Sequence, residues 1–197
     1  MYMKSLVKKW FLERVELNIN LINNNLFVDS IITSANIISS SIKKGNKLLI
    51  FGNGGSAAEA QHFSAELVGK FEKDRRALPA IALTTDTSIL TAQGNDYGFE
   101  RIFSRQIEAL AHGGDVAIGM TTSDIGKEDR HSYDILLGFQ AAKAKGAYRI
   151  GFFSEKTRFL LNYVDTAIVV PNKNTATIQE VHLSAIHLLC HIVESRL

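Results

Sequence analysis

The 197-residue chain contains little cysteine and little proline, and both scarcities are informative. Its single cysteine, Cys190, lies in an apolar stretch with helical character and cannot form an internal disulfide. A reducing compartment is therefore expected, and we predict a cytoplasmic protein. The two prolines are Pro79, at the start of one predicted strand, and Pro171, just after another, which are positions where proline does not interrupt a sheet.

Long hydrophobic runs and an excess of charge of one sign are missing as well. No run approaches the roughly 20 apolar residues that span a bilayer. Glu13, Arg14 and Glu16 interrupt the N-terminal apolar residues before the core of a signal peptide forms. The formal net charge is +2, with Lys and Arg spread along the chain, so neither nucleic acid nor a membrane is an expected partner.

The composition and the hydrophobic periodicity of the chain predict one globular α/β domain over residues 1–197. Hydrophobic residues make up 46% of it, enough for a sizeable core. Residues 1–44 hold two amphipathic helical patterns, which either cap the sheet or pack against another subunit. In the α/β core, 45–197, strands are predicted at 47–51, 79–83, 116–120, 148–153 and 166–170, alternating with helices that include 155–163 and a long one from about 175 to 196. This alternation predicts a mainly parallel, doubly wound, five-stranded sheet.

Candidate functional residues begin directly after the first predicted strand. Gly52-Asn53-Gly54-Gly55-Ser56 can adopt positive φ angles and approach a ligand closely, and a helix is predicted from Ala57 onward. A strand, a glycine turn and a helix N-terminus together present free N–H groups to an anion, although such glycines also form purely structural turns. On this helix His62 and Glu66 are four residues apart and share a face, as either a functional pair or an ordinary surface pair does.

Polar segments also follow the second and third predicted strands. Residues 84–88 offer several N-caps, residues 95–98 have the composition of a turn, and Thr121-Thr122-Ser123 begins a polar loop that ends at Ser132. In a parallel sheet, ligands bind beyond the carboxyl ends of the strands. Hydroxyl and N–H groups there, without a cluster of Lys or Arg, suit a phosphate on a small polar molecule. The hydroxyls of residues 121–123 equally suit caps and turns.

The predicted C-terminal helix carries three of the six histidines, His182, His187 and His191. Gln179 and His187 lie on one side of this helix two turns apart, and His182 lies well off that row. His191 continues the row by one more turn. It therefore either forms an alternative metal pair with His187 or packs as an ordinary histidine beside its apolar neighbours.

The chain carries several separated motifs, which in chain order are GNGGS with AAEAQHFSAEL, TTDTS, GNDYGFE, IFSRQIEAL, a GDV strand followed by TTS, and IQEVHL with His187. In this order the motifs resemble the sugar isomerase (SIS) domain family and most closely its phosphoheptose isomerases. The resemblance covers roughly residues 45–195 and implies the SIS fold. It also implies isomerisation of sedoheptulose 7-phosphate to D-glycero-D-manno-heptose 7-phosphate through an enediol, in the biosynthesis of lipopolysaccharide, capsule or another heptose glycoconjugate.

The same resemblance implies roles for individual residues. Glu66 and His187 match the acid–base pair, with Glu66 as the base and His187 as the acid. The matching metal ligands, for one zinc ion per site, are His62, Glu66, Gln179 and His187. The matching substrate contacts are Asn53, Gly54, Gly55, Ser56, Glu66, Asn95, Asp96, Thr121, Thr122, Ser123, Ser132 and Gln179. Family members are commonly homotetramers with sites between subunits, which would give the N-terminal apolar stripes a partner.

The chain departs from the family pattern in the polar loop, where Asp124-Ile125-Gly126 replaces the usual Gly-Asn-Ser and the loop is longer. The last phosphate-binding hydroxyl is therefore placed at Ser132, with Gly126 as the alternative in an alignment without a gap. Lys70 and Thr177 stand where the family often has arginine.

Two rival functions remain within the same fold. One is a non-catalytic protein that binds the replication initiator DnaA, and the other is a sugar-phosphate sensor. The DnaA-binding relatives lack counterparts of Glu66 and His187, and residues 1–44 have no room for the DNA-binding module of a sensor, so the enzyme is favoured.

Overall fold

Helices and strands alternate in the computed structural model, which describes residues 2–125 and 131–197. Two helices come first, α1 (Tyr2–Ile22) and α2 (Asn25–Lys43). The α/β part follows, in chain order, as β1 (Leu48–Gly52), α3 (Gly55–Val68), β2 (Ala80–Ala82), α4 (Thr87–Asp96), α5 (Ile102–Leu110), β3 (Val116–Met120), α6 (Tyr133–Ala144), β4 (Tyr148–Ser154), β5 (Thr166–Val170) and α7 (Thr175–Arg196). Single turns of 3-10 helix at Phe99–Arg101 and Leu160–Tyr163 precede α5 and β5.

The five strands form one parallel sheet in the order β2-β1-β3-β4-β5. All five residues of β1 are buried, and they alternate between the two faces of the sheet. Leu48 and Ile50 join a core with α2, α3 and α7, whereas Leu49 and Phe51 join a second core with α5 and α6. Both faces are therefore covered by helices, which confirms the predicted doubly wound α/β fold.

The two N-terminal helices have different environments. Helix α2 buries Ile31, Ile38 and Ile42 in the first core, so it caps the sheet. Helix α1 buries only Leu17 and Leu21, and leaves most of its other large apolar side chains exposed. Of the two alternatives left open by the sequence, the first applies to α2. No helix in the described ranges is both long enough and apolar enough to cross a membrane.

Three local predictions were wrong. The helix predicted at 155–163 is only the 3-10 turn at Leu160–Tyr163, because the Asp124 carboxylate accepts the backbone N–H groups of Arg158 and Phe159. Residues 95 and 96 end α4 instead of forming a turn, and the bend comes at Gly98, whose φ is +93°.

The third concerns the start of α3. It begins at Gly55, two residues before the predicted start at Ala57, and no side chain caps it.

Candidate active site

The sheet places its topological switch point between β1 and β3. From β1 the chain continues to β2 on one side, and β3 lies on the other side of β1. Connections leaving the two central strands therefore diverge at their carboxyl ends and open a crevice. The loop after β1 leads into α3, and the loop after β3 is the polar one, so two of the predicted polar segments border this crevice.

The turn between β1 and α3 depends on two glycines. Gly54 has φ +56°, in the left-handed region that glycine adopts without strain. A Cβ atom at Gly55 would collide with the side-chain amide of Gln179 on α7. The missing side chain leaves room for the Gln179 amide beside the glycine loop.

Farther along the same two helices, three side chains converge. His62 and Glu66 lie on α3, with 3.4 Å between His62 Nε2 and Glu66 Oε1. His187 on α7 places its Nε2 2.8 Å from His62 Nε2. All three are half-buried, and their ligand atoms lie within 4.8 Å of one another. The structure therefore brings together three of the four residues predicted as metal ligands.

The donor set of this cluster fits a zinc ion. Two imidazoles and a carboxylate are common zinc ligands, and tetrahedral bonds of about 2.1 Å place ligand atoms about 3.4 Å apart. The observed separations of 2.8 and 3.4 Å are close to that spacing. The fourth predicted ligand, Gln179, lies against Gly55 at the start of α3. Its role as a ligand stays a prediction.

The hydroxyl groups of the polar loop meet across its two ends. Thr121 is buried at the end of β3, and its Oγ1 lies 2.8 Å from Ser132 Oγ at the start of α6. Thr121 Oγ1 also accepts the backbone N–H of Ser123, and Thr122 Oγ1 lies 3.4 Å from Thr175 Oγ1. The predicted phosphate hydroxyls at 121 and 132 are thus neighbours. The alternative residue, Gly126, lies outside the described residues.

Asn53 and the pair at 95 and 96 have different surroundings. The Asn53 amide donates to Asp134 Oδ2 at 2.7 Å, which connects the glycine loop to the first turn of α6. Burial raises the pKa of the Asp134 carboxyl, and the hydrogen bond from Asn53 opposes that shift. Asn95 and Asp96 lie at the end of α4 and bond to each other, without a hydrogen bond to the cluster in the described part of the chain.

Sequence reasoning missed a buried pair between α3 and α7. His182 is fully buried, and its Nε2 donates to the carbonyl oxygen of Phe153. Its Nδ1 lies 4.0 Å from Glu59 Oε2, which is also buried. Burial raises the pKa of Glu59 to about 7 and lowers that of His182 to about 4. The one signal available in the sequence was that Glu59 and His182 lie on the same two helices, α3 and α7, as the cluster residues.

Comparisons with known proteins agree with this architecture. A profile of the SIS domain matches residues 22–154. The phosphoheptose isomerase of Aquifex aeolicus is 50% identical over 188 residues, covering 95% of this chain and 94% of that protein. The phosphoheptose isomerase of a Roseiflexus species is 44% identical over 191 residues, covering 96% of this chain and 94% of that protein.

A solved structure gives the same result. The phosphoheptose isomerase from Francisella tularensis superposes with a TM-score of 0.90 at 34% identity, over 99% of this chain and 100% of that one. Sequence and structure agree over nearly the full length, so the similarity is not confined to a shared fold. The chain therefore belongs to the SIS-domain family and, within it, to the phosphoheptose isomerases.

Proposed function

We propose that the chain is an aldose–ketose isomerase that converts sedoheptulose 7-phosphate to D-glycero-D-manno-heptose 7-phosphate. The observation that carries the proposal is the cluster of His62, Glu66 and His187 between α3 and α7. It lies in a chain that is 50% identical to a phosphoheptose isomerase over nearly its full length. The DnaA-binding and sensor alternatives have no comparable support. The product would feed heptose glycoconjugate synthesis.

The reaction moves a proton between C1 and C2 of the sugar through an enediol. It requires a base at carbon and an acid at oxygen, and both need to be within hydrogen-bond reach of the substrate. We assign Glu66 as the base and His187 as the acid. Both contact His62, and both are half-buried, so each keeps part of its side chain accessible to a substrate.

The same cluster is the proposed zinc site. His62, Glu66 and His187 would hold the ion, with Gln179 as the proposed fourth ligand. Bound zinc would act as a Lewis acid on the substrate oxygens. Because the carboxylate and imidazoles are then shared between metal and proton transfer, their spacing is expected to be critical for turnover.

The substrate phosphate is assigned to the polar loop and the glycine turn. The hydroxyls of Thr121, Thr122, Ser123 and Ser132 are proposed to donate to phosphate oxygens, together with backbone N–H groups at the start of α3. Asn53, Gly54, Gly55 and Ser56 are proposed to contact the sugar, as are Asn95 and Asp96 from the end of α4.

The assembly is proposed to be a homotetramer, working in the cytoplasm. Helix α1 supports an oligomer because Val7, Phe11 and Ile22 are each more than half exposed on it. Association through this helix would cover these side chains and complete the sites between subunits.

The test is an isomerase assay with sedoheptulose 7-phosphate on the purified chain, before and after chelation and zinc return. We expect chelation to abolish turnover and zinc to restore it. Glu66→Gln and His187→Ala should each lower kcat by about 100-fold or more with folding intact, as loss of a general acid or base does.

The control is Glu108→Gln, which removes a half-buried carboxylate of α5 whose partners are Arg101 and Arg105. It should leave kcat unchanged. Near-normal turnover in Glu66→Gln or His187→Ala would remove that residue's assigned role. Absence of isomerisation by the zinc-loaded wild type would overturn the proposed function itself.

A further inference from the structure

A buried carboxylate near the end of α7 organises the loop that follows α3. The side chain of Glu194 is 1% exposed. Its two oxygens accept three successive backbone N–H groups, from Phe71 at 3.0 Å and from Glu72 and Lys73 at 3.1 Å each. Burial alone would raise the pKa of Glu194, but these N–H groups and the Arg75 charge lower it below its ordinary value. The carboxylate is thus charged and fully used by one loop.

Arg75 connects the same carboxylate to α3. Its Nε lies 2.9 Å from Glu194 Oε1. Its terminal nitrogens donate to the carbonyl oxygens of Glu66 and Leu67, both at 2.9 Å. These carbonyls belong to the last turn of α3, where no helical N–H remains to bond them. One guanidinium therefore holds the backbone of the proposed base, Glu66, against the end of α7.

The held loop also reaches the proposed acid. The Phe71 ring stacks on the His187 imidazole, with ring centroids 5.4 Å apart and an interplanar angle of 22°. The backbone N–H of that same Phe71 is one of the three bound by Glu194. The carboxylate is thus linked to Glu66 through Arg75 and to His187 through Phe71.

We propose that Glu194, Arg75 and Phe71 form a positioning clamp that sets the distance and orientation between Glu66 and His187. This rests on the proposed function, because it concerns that site's acid–base pair. In the described part of the chain, Glu194 and Arg75 form no hydrogen bond or ion pair with a cluster side chain, so both act through other groups. The clamp fixes the imidazole plane through stacking, and it fixes the position of Glu66 through its backbone.

A clamp differs from a merely structural ion pair in what its loss changes. Loss of a structural pair lowers stability and leaves the folded enzyme's chemistry intact. Loss of the clamp would leave a folded enzyme with a displaced imidazole. It should then lower kcat and zinc affinity while leaving the KM for substrate nearly unchanged, because the phosphate contacts lie elsewhere.

The test compares Phe71→Leu, Phe71→Tyr and Glu194→Gln with wild type in kcat, KM and competition for zinc against a chelator. Phe71→Leu keeps an apolar side chain but loses the stacked ring, so we expect kcat to fall about 10-fold or more and zinc affinity to fall. Phe71→Tyr keeps the ring and should restore both. The matched control, Glu72→Gln, removes an exposed carboxylate of the same loop, paired with His191, and should change neither.

The outcomes separate the possibilities. If Glu194→Gln does not fold, the Phe71 variants still decide, since that ring is only partly buried. If Glu194→Gln folds, its effect on kcat and that of Phe71→Leu should be less than additive, because both act through one stacked ring. Wild-type kcat and zinc affinity in folded Phe71→Leu would overturn the clamp. An inactive wild type would instead count against the proposed function.

Discussion

At the scale of single residues, burial shifts the pKa values of two ionisable side chains, Glu59 and His182. Glu59 and His182 lie between the two helices that carry His62, Glu66 and His187, and both are buried. Each loses water on folding, and for Glu59 the loss outweighs the opposing effect of a hydrogen bond from Ser56. Burial favours the neutral form of both, which is why their pKa values shift in opposite directions.

These shifts predict how stability depends on pH. The pKa of Glu59 rises from 4.5 to about 7 on folding, so its favourable contribution is complete below pH 4.5 and is lost as pH rises through 7. The pKa of His182 falls from 6.5 to about 4, so its contribution is present above 6.5 and is lost as pH falls through 4. Where the two pH ranges overlap, the stability lost through Glu59 with rising pH and the stability gained through His182 nearly cancel.

Glu59→Gln removes the Glu59 contribution, so the pH dependence of the free energy of unfolding that is due to His182 should become visible. Relative to wild type, its free energy of unfolding should increase with rising pH between 4.5 and 7, by at most about 1.4 kcal/mol per pH unit. Denaturant titrations at several pH values measure this difference. Glu13→Gln, which changes an exposed carboxylate, should track wild type, and a parallel curve for Glu59→Gln would contradict the assigned shift.

At the scale of elements, the two ends of the sheet have different tasks. The carboxyl ends of β1 and β3 lead into the glycine turn and the polar loop. At their amino ends, Asp115 is 2% exposed and accepts the backbone N–H groups of Lys47 and His112 and the Lys47 ammonium. Although burial alone would raise the pKa of Asp115, these bonds lower it below its ordinary value. One carboxylate thus ties the entries of the two central strands.

Asp115→Asn should therefore reduce stability and spare catalysis. An amide puts N–H groups where an acceptor is needed, and we expect a loss of about 1 to 3 kcal/mol in the free energy of unfolding. The loss should shrink at acid pH, since the wild-type carboxylate contributes less as pH falls through its lowered pKa. Thermal and urea denaturation measure the loss, and kcat of the folded variant should match wild type.

The matched control for this strand contact is Asp29→Asn on the exposed side of α2. It should be neutral in stability. A large fall in kcat for folded Asp115→Asn would mean that the amino end of the sheet influences the site, contrary to the division described above.

At the scale of the whole molecule, the uncovered surface of α1 is the prominent feature. Val7 and Phe11 lie four residues apart on one face, 54% and 64% exposed. Only Leu17 and Leu21 of this helix join a hydrophobic core. In addition, Arg14 forms an ion pair with Glu180 of α7. An apolar face of the helix is therefore left uncovered, and the second copy proposed above would cover it.

Replacing both Val7 and Phe11 by Glu should split the assembly into smaller species and lower activity per chain. Charges placed in a self-contact repel each other and lose solvation. Light scattering after gel filtration measures the mass. The control, Ser5→Glu with Asn20→Glu, adds the same charge on the opposite side of the helix and should leave the assembly intact. A wild-type chain that elutes as a monomer would contradict the proposal.

Much of this molecule follows from local sequence, for physical reasons. Strands β3 and β5 and helix α7 were predicted to the residue, because apolar run length, helical periodicity and flanking turn residues are local signals. The helix predicted at 155–163 failed because the Asp124 carboxylate, far along the chain, takes two of its N–H groups.

The sequence by itself therefore determined the order of elements, the parallel sheet and the family, since these depend on periodicity and on motifs in a given order. Only the tertiary structure decided which polar groups meet. His62 and His187 are 125 positions apart, and Phe71 and Glu194 are 123 apart. Contacts at such separations leave no periodic trace, because they depend on how α3 and α7 pack across one face of the sheet.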